Sequence, residues 1–102
     1  MYRDDEDPPA FEWDPRKAAS NEARHGVPFD EAAAAFQDCR ALVRDDPEHS
    51  VEEHRFVLLG VSPRQRLLVV SDCLRNEEAT IRIISARRAT STERAKYNER
   101  SL

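Results

Sequence analysis

The sequence has little that would suit a secreted or membrane-embedded protein. Its two cysteines, Cys39 and Cys73, form no C-x-x-C motif and lack the spacing of a disulfide framework, so we expect reduced thiols. No apolar run approaches the roughly 18 residues that a membrane-spanning helix needs, and the first residues show no signal-peptide pattern. A chain of 102 residues is long enough for one modest core. We therefore expect a single domain in the cytoplasm.

The sequence also lacks a metal-site pattern and a DNA-reading motif. A predicted loop–strand junction separates His49 from His54, and no cysteine or aspartate lies at ligand intervals. His25 ends a predicted helix, where its charge would suit the helix dipole as well as catalysis. No helix pair resembles a helix-turn-helix with a basic recognition helix. We expect no metal and no other cofactor, and operator DNA would be bound only through a partner.

Charges of opposite sign are concentrated at the two ends of the chain, although the net charge is only −4. Residues 1–14 contain six acidic side chains and one arginine, whereas residues 79–102 contain six basic and two acidic side chains. A polyanion responds to local charge within a Debye length of about 10 Å, so the basic end is suited to nucleic acid. We predict that residues 1–10 form a flexible acidic tail and residues 11–102 the single domain.

Local signals predict the element order β-α-α-β-β-β-β-α. Asp14 and Pro15 are typical of a helix start, and Gly26 supplies the left-handed stop of that helix. Thr90 and Glu93 have the spacing of a capping box for a C-terminal helix through about residue 99. The apolar pattern predicts a strand at 11–13, a helix at 30–36, and strands at 41–44, 55–61, 66–74 and 79–85. We expect an α+β fold whose antiparallel sheet is covered by helices on one face.

Residues 80–90 carry three arginines along an apolar strand and its junction with the last helix. Arg82 lies inside the strand, where a charge needs a partner or a polar ligand. Strict alternation places Arg88 on the face of Arg82, and Arg87 on the opposite face. Guanidinium groups on a rigid strand end can bind phosphate oxygens in pairs. The pattern indicates either a phosphate clamp or three surface arginines on an edge strand.

Glu53 and Arg55 are two residues apart, so on a strand they would project from the same face. Such a pair could cleave RNA by internal transesterification. The carboxylate would accept the ribose 2′-OH proton, and the guanidinium would stabilise charge on the phosphate oxygens. The alternative is a surface ion pair worth at most about 1 kcal/mol. Of Arg87 and Arg88, we expect only one to reach this pair.

The first predicted helix carries a polar stripe. Lys17, Asn21 and Arg24 recur at helical spacing, so they share one face of that helix. The stripe could face RNA or only water.

Several ordered segments resemble the BrnT toxin family. They are FEWDPRK at 11–17, Asn21, HGVPFDEA at 25–32, Arg55-Phe56 with Gly60, residues 67–70 and RIISARRAT at 82–90. The resemblance extends from about residue 11 to residue 99. It implies a RelE-like fold and an endoribonuclease toxin of a type II toxin–antitoxin system, which would inhibit translation and growth. It also implies an RNA substrate and a BrnA-like antitoxin whose ribbon-helix-helix domain binds operator DNA.

By position, the resemblance implies that Arg55 and Arg87 are active-site arginines with Glu53 as their acidic neighbour. We expect these three residues to be catalytic without a metal ion, with Glu53 accepting the 2′-OH proton. The expected RNA-binding residues are Lys17, His25, Arg82 and Arg88. The general acid is open between His25 and His54.

Two positions depart from the family pattern Val-Ser-His-Cys-Tyr-Arg, because residues 70–75 here read VSDCLR. Asp72 replaces a histidine with a negative charge that would repel phosphate, and Leu74 removes an aromatic ring that could stack on a base. These positions either serve packing or weaken catalysis. The alternative function is therefore a toxin-fold module that binds its antitoxin without cutting RNA.

Overall fold

A computed structural model describes residues 9–47, 53–77 and 79–99, which form an α+β fold in the predicted element order. The elements are β1 (Ala10–Glu12), α1 (Pro15–His25), α2 (Phe29–Ala34), a 3₁₀ turn (Ala35–Gln37), β2 (Leu42–Asp45), β3 (Arg55–Val61), β4 (Leu67–Arg75), β5 (Thr80–Arg88) and α3 (Ser91–Glu99). Within these ranges, no helix is long and apolar enough to cross a membrane. His49 and residues 1–8 of the predicted acidic tail lie outside the described residues.

Helix α1 begins and ends at the predicted residues because both of its caps are encoded locally. Asp14 has an extended backbone, and its carboxylate accepts a hydrogen bond from the Arg16 backbone N–H at 2.8 Å. Gly26 adopts a φ of 70°, which is unstrained only without a side chain, and its N–H donates to the Glu22 carbonyl at 2.8 Å. Short-range chemistry therefore determines where this helix starts and stops.

The five strands form one sheet in the order β1-β5-β4-β3-β2. Strands β2 to β5 pair in antiparallel fashion, with the predicted meander of the last three strands. Strand β1 instead pairs in parallel with β5, so the expectation of a wholly antiparallel sheet is wrong at this edge. The two helices and the whole meander separate β1 from β5 in the chain, so no tight turn constrains the pair to run antiparallel.

Helices cover both faces of the sheet. The face that packs against α1 and α2, here called the core face, contributes to a main core that includes Phe29, Ala32, Leu58, Leu68, Val70, Ile83 and Ala86. Helix α3 lies on the opposite, outer face, where Tyr97 packs against a second cluster of Leu59, Leu67 and Val69. The Tyr97 hydroxyl also donates to Asp38 at 2.7 Å. The expectation that helices cover one face is therefore wrong for α3, because both faces of β3 and β4 are apolar and need cover.

Asn21 fastens α1 to β5 on the core face. Its side-chain amide donates to the carbonyls of Val27 at 3.1 Å and Ala86 at 2.8 Å, and its oxygen accepts from the Ala86 N–H at 3.1 Å. The centre of the predicted polar stripe therefore faces the sheet, while Lys17 and Arg24 on either side of it are exposed. Asn21 has a structural role that its helical spacing alone did not reveal.

Candidate active site

Four side chains form a row across four strands on the outer face. Glu12 lies opposite Arg82, Arg82 lies opposite Cys73, and Cys73 lies opposite Arg55. Leu59 lies an even number of residues from Arg55 on β3 and belongs to the cluster beneath α3, which places the row on the outer face. We call Glu12, Arg82, Cys73 and Arg55 the outer-face row.

Glu53 reaches this row from the bend that precedes β3. Its carboxylate accepts a hydrogen bond from the Cys73 thiol at 3.0 Å and lies 3.5 Å from the Arg75 guanidinium. The pKa of this carboxyl group is lowered, chiefly by the thiol hydrogen bond and further by the charges of Arg75, Arg55 and Arg82. The structure therefore brings Glu53 and Arg55 together, with Arg82 on the other side of the thiol.

Arg82 has its partner in Glu12. One guanidinium nitrogen, Nη1, lies 2.6 Å from Glu12 Oε2, and this bond raises the pKa of Arg82. The sequence pattern demands a partner for Arg82 but does not identify Glu12. The pairing depends on the parallel contact between β1 and β5, which leaves no local signal in the chain.

Arg87 lies on the outer face but apart from the row. It is opposite Val69, four residues along β4 from Cys73, which corresponds to about 13 Å at the rise of a strand. Its two terminal nitrogens bind the Glu93 carboxylate at 2.8 Å each. The Arg87 guanidinium lowers the pKa of Glu93 to about 2. Glu93 also completes the predicted capping box with Thr90, so Arg87 attaches α3 to the sheet.

A β-bulge in β5 decides which arginine shares the face of Arg82. The register with β4 shifts by one residue, which leaves Ile84 as the extra residue. This insertion reverses the alternation beyond it, so Arg87 returns to the outer face and Arg88 does not. The strict alternation that placed Arg88 with Arg82 is therefore wrong, because a one-residue bulge has no signature in the apolar pattern.

Three of the four predicted RNA-binding residues lie away from the row. Lys17 and His25 are exposed on α1, which packs on the core face. Arg88 is exposed and lies opposite Leu68, a residue of the main core. Of the four, Arg82 is the one that the structure places beside Glu53 and Arg55.

His54 immediately precedes Arg55, and its ring packs on Phe56 with the ring centroids 4.4 Å apart. Its Nε2 atom lies 3.4 Å from Asp45 Oδ1. His54 and His25, the two histidines proposed as the general acid, are therefore not members of the outer-face row.

Over the described ranges, no group of three or more His, Cys, Asp or Glu side chains is arranged to hold a metal ion.

Asp72 is fully buried on the core face rather than exposed beside the row. It lies opposite Phe56 and Ile83, and its exposed fraction is 0%. Neither carboxyl oxygen has a hydrogen-bond partner among the residues that the structure describes, and burial raises the pKa of Asp72 to about 7. Asp72 is therefore not a surface charge beside the row, although it lines the cleft next to Arg55, and Leu74 packs against the main core.

A cleft of about 160 Å³ opens beside Arg55 at the bulge. Its lining residues are Asp46, Arg55, Phe56, Ser71, Asp72, Ile84 and Ser85. The two serine hydroxyls and the Arg55 guanidinium are hydrogen-bond donors of the kind that phosphates and base edges accept. Arg55 belongs both to the lining of this cleft and to the outer-face row, so the cleft adjoins the row.

The fold and the outer-face row define a class of protein. It is a small α+β domain in which guanidinium groups and a carboxylate lie on one sheet face. Guanidinium groups are typical ligands of phosphate esters. Residues 13–93 match the family described as the ribonuclease toxin BrnT of type II toxin–antitoxin systems. The chain belongs to this family, as the resemblance of its sequence segments predicted.

A solved structure has the same fold. The 1.1 Å crystal structure of the Brucella abortus ribonuclease toxin BrnT is similar to this chain with a TM-score of 0.60 and 19% sequence identity. The match covers 82% of this chain and 100% of that one. At this identity the likeness shows the fold alone, and it confirms the predicted fold class. No curated protein sequence matches the chain.

Proposed function

We propose that this BrnT-family toxin is an endoribonuclease that cleaves RNA by metal-independent transesterification at the outer-face row. Family membership supports the ribonuclease class. The observation that carries the proposed site is the Glu53 carboxylate, which accepts a hydrogen bond from the Cys73 thiol directly opposite Arg55 and whose pKa the charge of Arg55 helps to lower. A carboxylate and a guanidinium on one face are the groups that this reaction needs.

Glu53 is the proposed general base. Its lowered pKa keeps it ionised at neutral pH, so it can accept the proton of a ribose 2′-OH. The 2′-oxygen then bonds to the adjacent phosphorus while the bond from phosphorus to O5′ breaks. The products are a 2′,3′-cyclic phosphate and a 5′-hydroxyl, whose proton comes from a general acid. His54 and His25 stay predictions for that acid.

Arg55 and Arg82 are the proposed ligands of the scissile phosphate. They lie on either side of Cys73 on the outer face, so both forks could bind one phosphodiester and stabilise its developing charge. Arg82 and Arg87 are both paired with a carboxylate, but Arg87 lies about four residues along the sheet from Cys73. We therefore assign the second guanidinium to Arg82, which lies directly opposite Cys73. Lys17, His25 and Arg88 would contact RNA only where it extended around the edge of the sheet.

A type II toxin–antitoxin system implies an antitoxin partner. We propose that it is BrnA-like, that its ribbon-helix-helix domain binds operator DNA, and that an acidic segment of it covers the outer-face row. Carboxylates of that segment would satisfy Arg55 and Arg82 and exclude RNA at the same time. Inhibition of translation and a cytoplasmic location stay predictions.

Cleavage of a labelled RNA by the intact chain in EDTA tests the proposal. Arg55→Ala should lower the rate at least about a hundredfold, because it removes a group that stabilises the transition-state charge. Arg94→Ala, at an exposed position on α3, is the matched control and should cut at the wild-type rate. Circular dichroism and thermal unfolding establish that both variants fold.

Two results would contradict the proposal. Loss of wild-type cleavage on addition of EDTA would remove the metal-independent mechanism. Equal cleavage rates in the Arg55→Ala and Arg94→Ala variants would remove Arg55 from the active site.

A module that binds its antitoxin without cutting RNA is the second candidate function. Arg82 is already paired with Glu12, and Arg87 with Glu93, so two of the arginines are neutralised in the isolated chain. On this alternative, the folded wild-type chain would bind antitoxin and leave RNA intact, and Arg55→Ala would affect only antitoxin binding.

A further inference from the structure

Cys73 occupies the centre of the outer-face row. It is 1% exposed and lies between Arg55 on β3 and Arg82 on β5. A buried free cysteine ordinarily behaves as a small apolar residue. Here, however, the thiol donates a hydrogen bond to the Glu53 carboxylate at 3.0 Å. The side chain is therefore in direct contact with the proposed general base.

Glu53 needs such a contact because its backbone is not part of a strand. It lies in the bend before β3, next to the last cross-strand bond that the structure shows at this end, from the Leu74 N–H to the His54 carbonyl at 3.2 Å. Arg75 is 3.5 Å away, but its side chain is 45% exposed, and exposed ion pairs orient their members weakly. The thiol instead comes from β4, which is paired with a strand on each side. Cys73 thus offers the more rigid of the two contacts.

The Cys73 thiol keeps its proton throughout the neutral pH range. Burial raises the pKa of Cys73 to about 11, with the hydrogen bond to Glu53 as the next contribution. The same bond is the largest cause of the lowered pKa of Glu53. A donor that stays protonated therefore faces a carboxylate that stays ionised, which is the condition for a stable thiol–carboxylate hydrogen bond.

We propose that Cys73 is a positioning residue for RNA cleavage, whose thiol hydrogen bond holds the Glu53 carboxylate in place beside Arg55. The catalytic meaning of this inference rests on the proposed function. A packing role differs from it in one respect: any small apolar side chain would satisfy packing, whereas positioning requires a hydrogen-bond donor.

Variants of the whole chain separate the two roles. Cys73→Ala removes the donor, Cys73→Ser retains a donor, and Cys39→Ala is the matched control at an exposed thiol. In Cys73→Ala, we expect the pKa of Glu53, followed by carbon-13 NMR of its carboxyl group, to rise towards its ordinary value. The acid limb of the kcat/KM profile should move to higher pH with it, and kcat should fall about tenfold through misalignment. Cys73→Ser should restore both properties, and Cys39→Ala should match the wild type.

Three results would overturn the inference. One is an unchanged Glu53 titration in folded Cys73→Ala, and another is an equal loss in the alanine and serine variants, which indicates packing alone. If Cys73→Ala does not fold, Glu53→Gln provides the reciprocal measurement at a side chain that is about one-third exposed. Loss of the carboxylate should lower the pKa of the Cys73 thiol, read from its carbon-13 shift, and an unmoved thiol titration is the third contrary result.

The same measurements distinguish this inference from the proposed function. A wild-type chain that cuts no RNA removes the proposed function and the catalytic meaning of Cys73, even when the titrations show the thiol hydrogen bond. A wild-type chain that cuts RNA while the Glu53 titration is insensitive to Cys73→Ala removes only the positioning role.

Discussion

Two buried carboxyl groups, one on α2 and one on β4, have contrasting surroundings. The Glu31 carboxylate accepts hydrogen bonds from the Arg66 guanidinium, at 2.9 Å from Nε, and from the Ser62 hydroxyl at 2.7 Å. The bond to Arg66 is the main cause of the lowered pKa of Glu31. Asp72 has no hydrogen-bond donor in the part of the chain that the structure describes, and burial raises its pKa to about 7. The two groups are exposed by 8% and 0%. Hydrogen-bond donors outweigh the effect of burial on the pKa of Glu31, whereas burial acts without such opposition on Asp72.

The carboxylates of the outer face have hydrogen-bond partners, as Glu31 has, but they are more exposed to solvent than Glu31. Glu12 binds Arg82, and Glu53 accepts from the Cys73 thiol. A sheet face can thus hold several charges when each has a cross-strand partner. Asp72, one residue from the row along β4, is the exception, and its burial is a cost to stability rather than a contribution to the site.

Asp72→Asn should produce the largest effect, because it removes the unpartnered carboxyl group. The folded-state pKa of Asp72, about 7, lies above its ordinary value of 3.8, so the folded chain holds an extra proton between these pH values. Wild-type stability should therefore fall as the pH rises from about 4 to about 7, by up to about 4 kcal/mol, and change little from this cause at higher pH. The asparagine variant should lose this slope and be the more stable protein at pH 8.

Urea unfolding at several pH values across this range measures the effect. Glu22→Gln, which removes an exposed carboxylate on α1, is the control and should keep the wild-type slope. A slope that persists unchanged in Asp72→Asn would show that Asp72 is ionised in the folded protein, and the contrast with Glu31 would disappear.

The elements of the fold could be predicted because their signals are local. The caps of α1 lie next to the residues that they cap, and the strands of the meander are joined by short turns. The partner of β1 and the face that receives α3 could not be predicted in this way. Each depends on contacts between residues distant in the chain, such as Glu12 with Arg82 and Tyr97 with Asp38.

The candidate site, like the fold, could be predicted only where the signal lies in nearby residues of the chain. Alternation along one strand led us to expect Glu53 beside Arg55, but Glu53 lies in the bend before β3 and reaches the row through its hydrogen bond with Cys73. The position of Arg87 depends on the bulge at Ile84 and on the carboxylate of α3, neither of which a period-two pattern contains. The burial of Asp72 likewise follows from the assembled sheet, since nothing in VSDCLR marks the aspartate as the inward residue.

Glu31→Gln should have the next largest effect, and opposite in sign to that of Asp72→Asn at neutral pH. The change removes the charge that Arg66 binds in a position with 6% side-chain exposure, so we expect a loss of about 2–3 kcal/mol. Because the pKa of Glu31 is lowered, this contribution is present above the ordinary pKa of a glutamate and is lost as the pH falls through the lowered value. Urea unfolding at neutral pH, with Glu22→Gln again as the control, measures the loss. If Glu31→Gln were as stable as the wild type, hydrogen-bond partners would not explain the different effects of the two carboxyl groups on stability.

Glu12→Gln should have the smallest effect on stability and a distinct effect on RNA. The Glu12–Arg82 pair is about one-third exposed on both sides, so its removal should cost at most about 1 kcal/mol. The amide competes less well than the carboxylate for Arg82, and the guanidinium becomes more available to a phosphate. We therefore expect the affinity for a 2′-O-methyl RNA, which cannot be cleaved, to rise about two- to fivefold in a fluorescence anisotropy titration at low salt. Glu22→Gln removes the same charge away from the row, so a matching gain in that variant would assign the effect to net charge alone. Weaker binding by Glu12→Gln would mean that Glu12 orients Arg82 for RNA rather than competing with it.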